Sequence, residues 1–536
     1  MWSLRFGYAA TIALAAQCVT ALTPGNLRGG LRTTKAFNAL KSDTILDSPN
    51  IQECNFSVPV DHFHNDTQYE PHSNDFFPLR YFLDLSHYKP GGPVIVIQGG
   101  EAPATYRRQT LFNGIGPILA KATGGIVLVM EHRYYGTSFP VPDLSTENFR
   151  FLTTEQAVAD AAYFAQHVEF PGLEGQNLTS ATTPWFIWGG SYGGAYAAIT
   201  RKLYPDAFWG AISSSGVTHA IDDYWAFAEA TRLFAPGNCG SFLVKATKVI
   251  DTALFSDDSG KGATVKQLFG YDASDNDGSF ASRIMHPISA LQGESWVHGE
   301  NDDTLDTYCT KITSKTLQYP NLESKRQIAE QLVQDAGYTV DVATTLLNYV
   351  GLRGSYGEKA SSSQLSRQRN VALTQRDTQL DDGESWFYQT CTQWGFYLTG
   401  AGVPQDTPNI VSRAITIDGA RADCRNTFGI DHPPNVNSIN RLGGENFSCS
   451  RLAIIDGKQD PWRGATPHAI GANPGRNSTT DEPYILIDYA THHWDEDDVP
   501  ANQYGPGYPP TQIVDVHNQE VAFVKAWIEE FHKSRI

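Results

Sequence analysis

The run Trp185-Phe186-Ile187-Trp188, continuing into Gly189-Gly190-Ser191-Tyr192-Gly193-Gly194, constrains this chain more than any other segment. The apolar run has the length of a buried strand, and from about Ala195 the residues read as a helix. Between them the chain must turn within very few residues, which demands flanking positions almost without side chains. A G-x-S-x-G sequence set between a strand and a helix is a nucleophile elbow. It lifts the serine hydroxyl above the sheet and points the next helix N-terminus at a developing oxyanion. The bare motif arises often by accident, so the flanking elements give it its weight.

Those elements continue on both sides. Pro93 to Ile97, ending in Gln98-Gly99-Gly100, and Ile126 to Met130 are apolar runs of the kind buried on both faces of a parallel sheet. Thr153-Thr154-Glu155-Gln156 opens a helix with a capping box, and Ala211 to Ser215 is a further strand. The rhythm stops near residue 220 and resumes with Leu452 to Ile455, Tyr484 to Ile487 and an amphipathic closing helix. The expected architecture is an α/β-hydrolase fold, a mostly parallel doubly wound sheet carrying a large, mostly helical insertion. Its parts are 50–220 and 425–536 for the sheet domain and 221–424 for the insertion.

A serine hydroxyl needs a base, and the base needs an orienting acid. In this fold both follow the nucleophile, each just past a strand end. Leu452 to Ile455 leads into Asp456 and Asp460; Tyr484 to Ile487 leads into His492 and His493. Asp456 lies so near its strand that a turn-capping role suits it better. The oxyanion donors expected are the N–H groups of Tyr192 and Gly100. His493 and Glu496 stand three apart among acids, but no helix presents them together, and no C-x-x-C pair exists. No metal and no cofactor are expected.

The first 21 residues read as a signal peptide and 22–49 as a flexible leader or pro-segment. Beyond the signal, Cys54, Cys239, Cys309, Cys391, Cys424 and Cys449 permit three disulfides. Sequons at Asn55, Asn65, Asn177, Asn446 and Asn477 agree with a glycoprotein that is secreted or held in the vacuolar or lysosomal lumen. A net charge of −18 argues against nucleic acid, and no later apolar run reaches the roughly 20 residues that span a bilayer. Peptides or proteins are the expected substrates, no membrane partner is expected, and a homodimer is left open.

Further motifs fall in a recognisable order. They are Val60-Asp61-His62-Phe63, Gly99-Gly100-Glu101, Glu131-His132-Arg133-Tyr134-Tyr135-Gly136, Cys391-Thr392-Gln393-Trp394-Gly395-Phe396, Asp460-Pro461-Trp462 and His492-His493. With the elbow, they resemble the serine peptidases that include lysosomal Pro-X carboxypeptidase, dipeptidyl-peptidase II and acid prolyl endoproteases. The resemblance implies a Ser191, Asp460, His492 triad, an insertion capping the site, and cleavage after proline in a pocket walled by Trp462. Glu101 and His493 are further candidates for substrate binding.

The chain departs from that family at Ala490-Thr491, where Gly-Ala is usual, and at Gln393, where glutamate is common. The family's two-histidine members carry an arginine a few residues on, where this chain has Trp494-Asp495-Glu496-Asp497-Asp498. That acidic run reads as a solvated loop. The rival readings are an esterase or lipase on the same scaffold and a non-enzymatic secreted binding protein.

Overall fold

The computed structural model describes residues 50–285, 288–297, 304–354 and 382–535. The expected signal and leader, 1–49, lie outside them. Among the described residues there are ten strands: β1 (Ile51–Pro59), β2 (Phe76–Asp84), β3 (Val94–Gln98), β4 (Ile126–Met130), β5 (Trp185–Gly190), β6 (Gly210–Ser214), β7 (Ile221–Asp223), β8 (Gly395–Tyr397), β9 (Leu452–Gly457) and β10 (Tyr484–Ile487). Eight form one sheet in the order β1-β2-β4-β3-β5-β6-β9-β10. From β4 to β10 every neighbouring pair is parallel; β1 and β2 add an antiparallel edge.

Side-chain alternation explains why the central strands are apolar throughout. In β4, Ile126, Leu128 and Met130 enter one core, while Val127 and Val129 enter the other. Helices α1 (Ile115–Thr123) and α14 (Thr511–Ser534) cover the second face, and α2 (Thr154–His167) and α3 (Tyr192–Leu203) the first. Helix α2 starts as its capping box predicts, with Thr153 Oγ1 accepting from Gln156 N–H at 3.3 Å. Helix α3 begins at Tyr192, directly after the serine and earlier than the apolar pattern suggests. The β1–β2 edge escapes a search for apolar runs because β1 is exposed at alternate positions.

Between β7 and β8 eight helices are described, from α4 (Phe227–Phe234) through α10 (Val342–Arg353) to α11 (Asp382–Gln389). Helices α12 (Ile417–Phe428) and α13 (Asn437–Asn440) come after β8. Strands β7 and β8 pair parallel with each other, closing the neck of this excursion with a small sheet that no periodicity announces.

The cysteines correct one expectation. Cys239–Cys309 and Cys391–Cys424 are disulfides, but Cys54 and Cys449 are free thiols. Cys54 lies on β1, at one edge of the sheet, and Cys449 just before β9, six strand spacings away. At about 4.8 Å per strand that is roughly 29 Å, several times the reach of a disulfide. The two bridges close loops with separations of 70 and 33 residues. Each is expected to stabilise the fold by about 4 kcal/mol on the chain-entropy account.

Alkylating the unreduced, denatured protein and mapping its peptides should label Cys54 and Cys449 and leave the other four described cysteines linked. A Cys54–Cys449 cross-linked peptide would contradict this arrangement.

Candidate active site

Ser191 sits at the junction of β5 and α3 with φ +62°, a left-handed conformation that a side chain rarely adopts. The backbone is held there from both sides. Ser191 N–H donates to Ser214 C=O at 2.9 Å, and Ser191 C=O accepts from Gly194 N–H at 2.9 Å. The turn is so tight that a Cβ on Gly189 would lie 1.9 Å from Gly193 O, and one on Gly194 would lie 2.8 Å from Gly216 Cα. Those two positions therefore require glycine. Tyr192 opens α3, so its N–H has no acceptor within the helix.

Asp460 and His492 come from the ends of the neighbouring strands β9 and β10. The pairing of the strands runs on into their loops: Lys458 N–H donates to Ile487 C=O and Gln459 N–H to Ala490 C=O, at 3.0 and 2.9 Å. That zipper sets Asp460 opposite His492, with Oδ2 2.8 Å from Nδ1. Asp460 Oδ1 accepts from Trp462 N–H at 2.8 Å. Burial alone would raise the Asp460 carboxyl; the His492 charge and the hydrogen bonds from His492, Trp462 and Ser215 hold it below the ordinary carboxylate range. An ionised carboxylate only accepts, so Nδ1 of His492 donates to it, and in the neutral imidazole Nε2 then carries the lone pair. Nε2 is buried without a hydrogen-bond partner among the described residues. The chain neighbours of the two residues touch: a Cβ on Gly190 would lie 3.3 Å from His493 Cγ. Asp456 takes no turn-capping role; its Oδ2 lies 2.6 Å from Nδ1 of His468.

The acidic run is not a solvated loop. Asp495, Glu496 and Asp497 are all buried. Asp495 Oδ1 accepts from Ser214 Oγ at 2.5 Å, next to the strand end that supports Ser191. Glu496 pairs with Arg107 and lies 2.9 Å from Nδ1 of His493. Arg107 also donates to Gly99 C=O at 3.3 Å, linking the histidine loop to the Gly99-Gly100 turn. Thus a guanidinium does stand near the second histidine, but it comes from far away in sequence, where spacing gives no signal. Burial lowers His493 to about 4, against the pull of Glu496, so its ring is neutral at ordinary pH. Burial raises Glu101 to about 7, offset only in part by Arg107 and His492.

One further expectation shifts. Gly100 N–H donates to Gln98 Oε1 in its own turn, so it does not stand free as an oxyanion donor. The turn itself does face the elbow, since a Cβ on Gly193 would lie 3.6 Å from Gly100 Cα. Gln393, where the resembled family often has glutamate, has its Oε1 accepting from Thr154 N–H at 2.8 Å and its Nε2 donating to Glu155 at 2.9 Å, securing the start of α2.

Trp462 is buried in an aromatic box, with ring centroids 5.5, 5.1 and 5.0 Å from Tyr224, Phe227 and Phe396. Its Nε1 donates to Gln292 Oε1 at 2.9 Å. The same stretch of the insertion holds the histidine loop, because Glu294 C=O accepts from Thr491 Oγ1 and Trp494 Nε1 at 2.7 and 2.8 Å. A second bridge reaches the elbow. His132, lowered to about 4 by burial, accepts from Tyr192 OH through Nε2 at 2.9 Å, and Gln389 of α11 donates to that same hydroxyl at 2.8 Å. Ser191, Asp460 and His492 are each under 5 % exposed beneath this cover.

Residues 59–503 match the family described as serine carboxypeptidase S28. Among curated proteins, the "Probable extracellular serine carboxypeptidase" of Arthroderma benhamiae is 37 % identical over 529 residues, 96 % of this chain and 73 % of that protein. "Serine protease vicPb" of Bipolaris victoriae is 27 % identical, covering 85 % of this chain and 86 % of its own. "Thymus-specific serine protease" of Mus musculus is 24 % identical, covering 78 % of each chain.

The buried acids give the site a pH signature. Burial lifts Asp495 to about 7, against the Ser214 hydrogen bond. A carboxyl raised above its unfolded value contributes stability that is full below about pH 4 and lost as pH rises through about 7. Asp495→Asn removes that loss while keeping an acceptor for Ser214. Its melting temperature relative to wild type should therefore be higher at pH 8 than at pH 5. A difference that stays constant across the two pH values would show that Asp495 is ionised throughout.

Proposed function

The chain belongs to the serine carboxypeptidase S28 family and is a serine-type peptidase; from that premise we propose that it hydrolyses peptide bonds on the carboxyl side of proline through Ser191, His492 and Asp460. The observation that carries the reading is the Asp460–His492 pair, oriented with a free Nε2 in the loop that touches the elbow. His492 takes the proton of Ser191 as the hydroxyl attacks the carbonyl carbon, then gives it to the departing amine. Asp460 holds the imidazole in the required tautomer and balances the imidazolium. Tyr192 N–H, at the positive end of α3, donates to the oxyanion. Gly100 joins it as the second donor only if Gln98 lets go of its N–H. Water then releases the acyl group by the reverse proton transfers.

Specificity rests on the aromatic box beside the base. Trp462, whose ring centroid lies 6.4 Å from that of His492, offers a flat apolar wall suited to a compact ring. A long charged side chain there would lose its hydration without a partner. The cover over the triad suits a narrow peptide chain better than a folded protein surface. We also take the protein to be exported: the Arthroderma relative is named as extracellular, and all five sequon asparagines are exposed. No helix among the described residues is long and apolar enough to cross a membrane.

Mass spectrometry of products from a peptide library should show cleavage after proline first and after alanine second, and none with Ser191→Ala. Preference for lysine or phenylalanine would contradict the substrate assignment. Because Trp462 is buried, its removal to alanine would open a cavity costing about 3–5 kcal/mol, so Trp462→Phe is the better probe. It should lower kcat/KM for proline substrates more than for alanine ones. Equal losses would mean that Trp462 supports the fold and not the pocket.

A further inference from the structure

The motif Val60-Asp61-His62-Phe63 plays no part in the mechanism, yet it opens the β1–β2 connection where the structure gathers an unassigned set of ligand-type side chains. Asp61, His64 and His72 each offer one donor atom, and the three atoms lie within 4.8 Å of one another. The two imidazoles stack with centroids 5.4 Å apart and planes 24° from parallel. Asp61 Oδ2 lies 2.7 Å from Nδ1 of His72. From this geometry we infer that Asp61, His64 and His72 form a binding site for a divalent transition-metal ion, zinc in the first instance, on the face of the molecule formed by this connection.

The chemistry of the three side chains selects the ion. Two imidazole nitrogens and one carboxylate oxygen suit zinc, which commonly binds three protein ligands and leaves its fourth position to water. An all-oxygen cation such as calcium or magnesium would find one carboxylate and no other oxygen donor in the set. A tetrahedral ion with bonds of about 2.0–2.1 Å keeps its ligand atoms about 3.3 Å apart. The Asp61–His72 pair must therefore open by roughly half an ångström, and the widest pair must close by about 1.5 Å. His64 is exposed and free to make that movement.

The carboxylate is already oriented from behind. Asp61 Oδ1 accepts from Phe63 N–H at 2.9 Å and from Gln156 Nε2 at 2.7 Å, which leaves Oδ2 turned toward His72. Such outer hydrogen bonds fix a ligand before the ion arrives. They also tie the site to α2, because Gln156 Oε1 accepts from His62 N–H at 2.9 Å and His62 Nε2 lies 2.7 Å from Asp160 Oδ1. A bound ion would fasten the connection to the helix whose first turn Gln393 secures. The proposal departs from the expectation of no metal; the two histidines stand eight residues apart across a loop, which matches no zinc pattern.

Zinc titrated calorimetrically into the full-length, chelator-treated protein at about pH 7.5 should saturate at one ion per chain. His64→Ala, at an exposed position, and His72→Ala should each weaken binding by about 100-fold or more. Zinc should raise the melting temperature of wild type and of neither variant. A wild-type protein that takes up no zinc, or either variant binding as wild type does, would overturn the site.

Discussion

The continued pairing of β9 with β10 beyond the ends of the strands is the interaction on which the rest depends. Two backbone hydrogen bonds, Lys458 to Ile487 and Gln459 to Ala490, carry the parallel register into the loops. A Cβ on Gly457 would lie 2.0 Å from Thr491 O, so the loops also touch where the strand ends. This fixes Asp460 and His492 against each other before any side chain is considered. A slip of one residue would turn Asp460 to the opposite face and leave a buried histidine without its carboxylate. The elbow needs only its glycines and the β6 carbonyl of Ser214, and β6 lies directly between β5 and β9 in the sheet. Ser191, Asp460 and His492 thus follow the ends of β5, β9 and β10, within four consecutive strands of the sheet.

Around this frame the molecule buries more charge than its mechanism uses. The Arg107–Glu496 pair joins the turn after β3 to the loop after β10, and Asp495 reaches beneath the elbow to Ser214. Buried acids of this kind carry a desolvation cost, so they favour a proton or a cationic partner. Glu496 has the partner; Asp495 and Glu101 are held near neutrality instead. The insertion contributes in the same way, through backbone and amide groups of Gln292, Glu294 and Gln389 that hold Trp462, the histidine loop and Tyr192. The insertion thus contacts both the His492 loop and Tyr192.

The sequence made legible what depends on local pattern. The apolar runs of β3, β4 and β5, the Thr153 cap and the strand–glycine–helix turn at Ser191 each arise from neighbours along the chain. That an acid and a histidine meet past β9 and β10 was legible because both loops follow strands, while the choice of His492 over His493 rests on the family resemblance. What stayed hidden depends on distant contacts. Nothing near Glu496 announces Arg107, and hydrophilic residues at 495–497 look exposed until the fold covers them. Cys54 and Cys449 look like a pair by count alone, and only the strand order separates them. Gly100 was expected to be free because its turn is glycine-rich, yet the Gln98 side chain two residues earlier claims its N–H.

The central claim is that Ser191 is activated by the first histidine of the pair, oriented by Asp460. The most direct measurement is the rate of covalent labelling by a fluorophosphonate, with the adduct located by peptide mapping. Labelling depends on the activated hydroxyl and on no feature of the peptide pocket. The account predicts an adduct on Ser191, with the rate reduced by a factor on the order of 10⁴ in Asp460→Asn and His492→Ala and far less in His493→Ala. An adduct on another residue, or a slower reaction in His493→Ala than in His492→Ala, would contradict it.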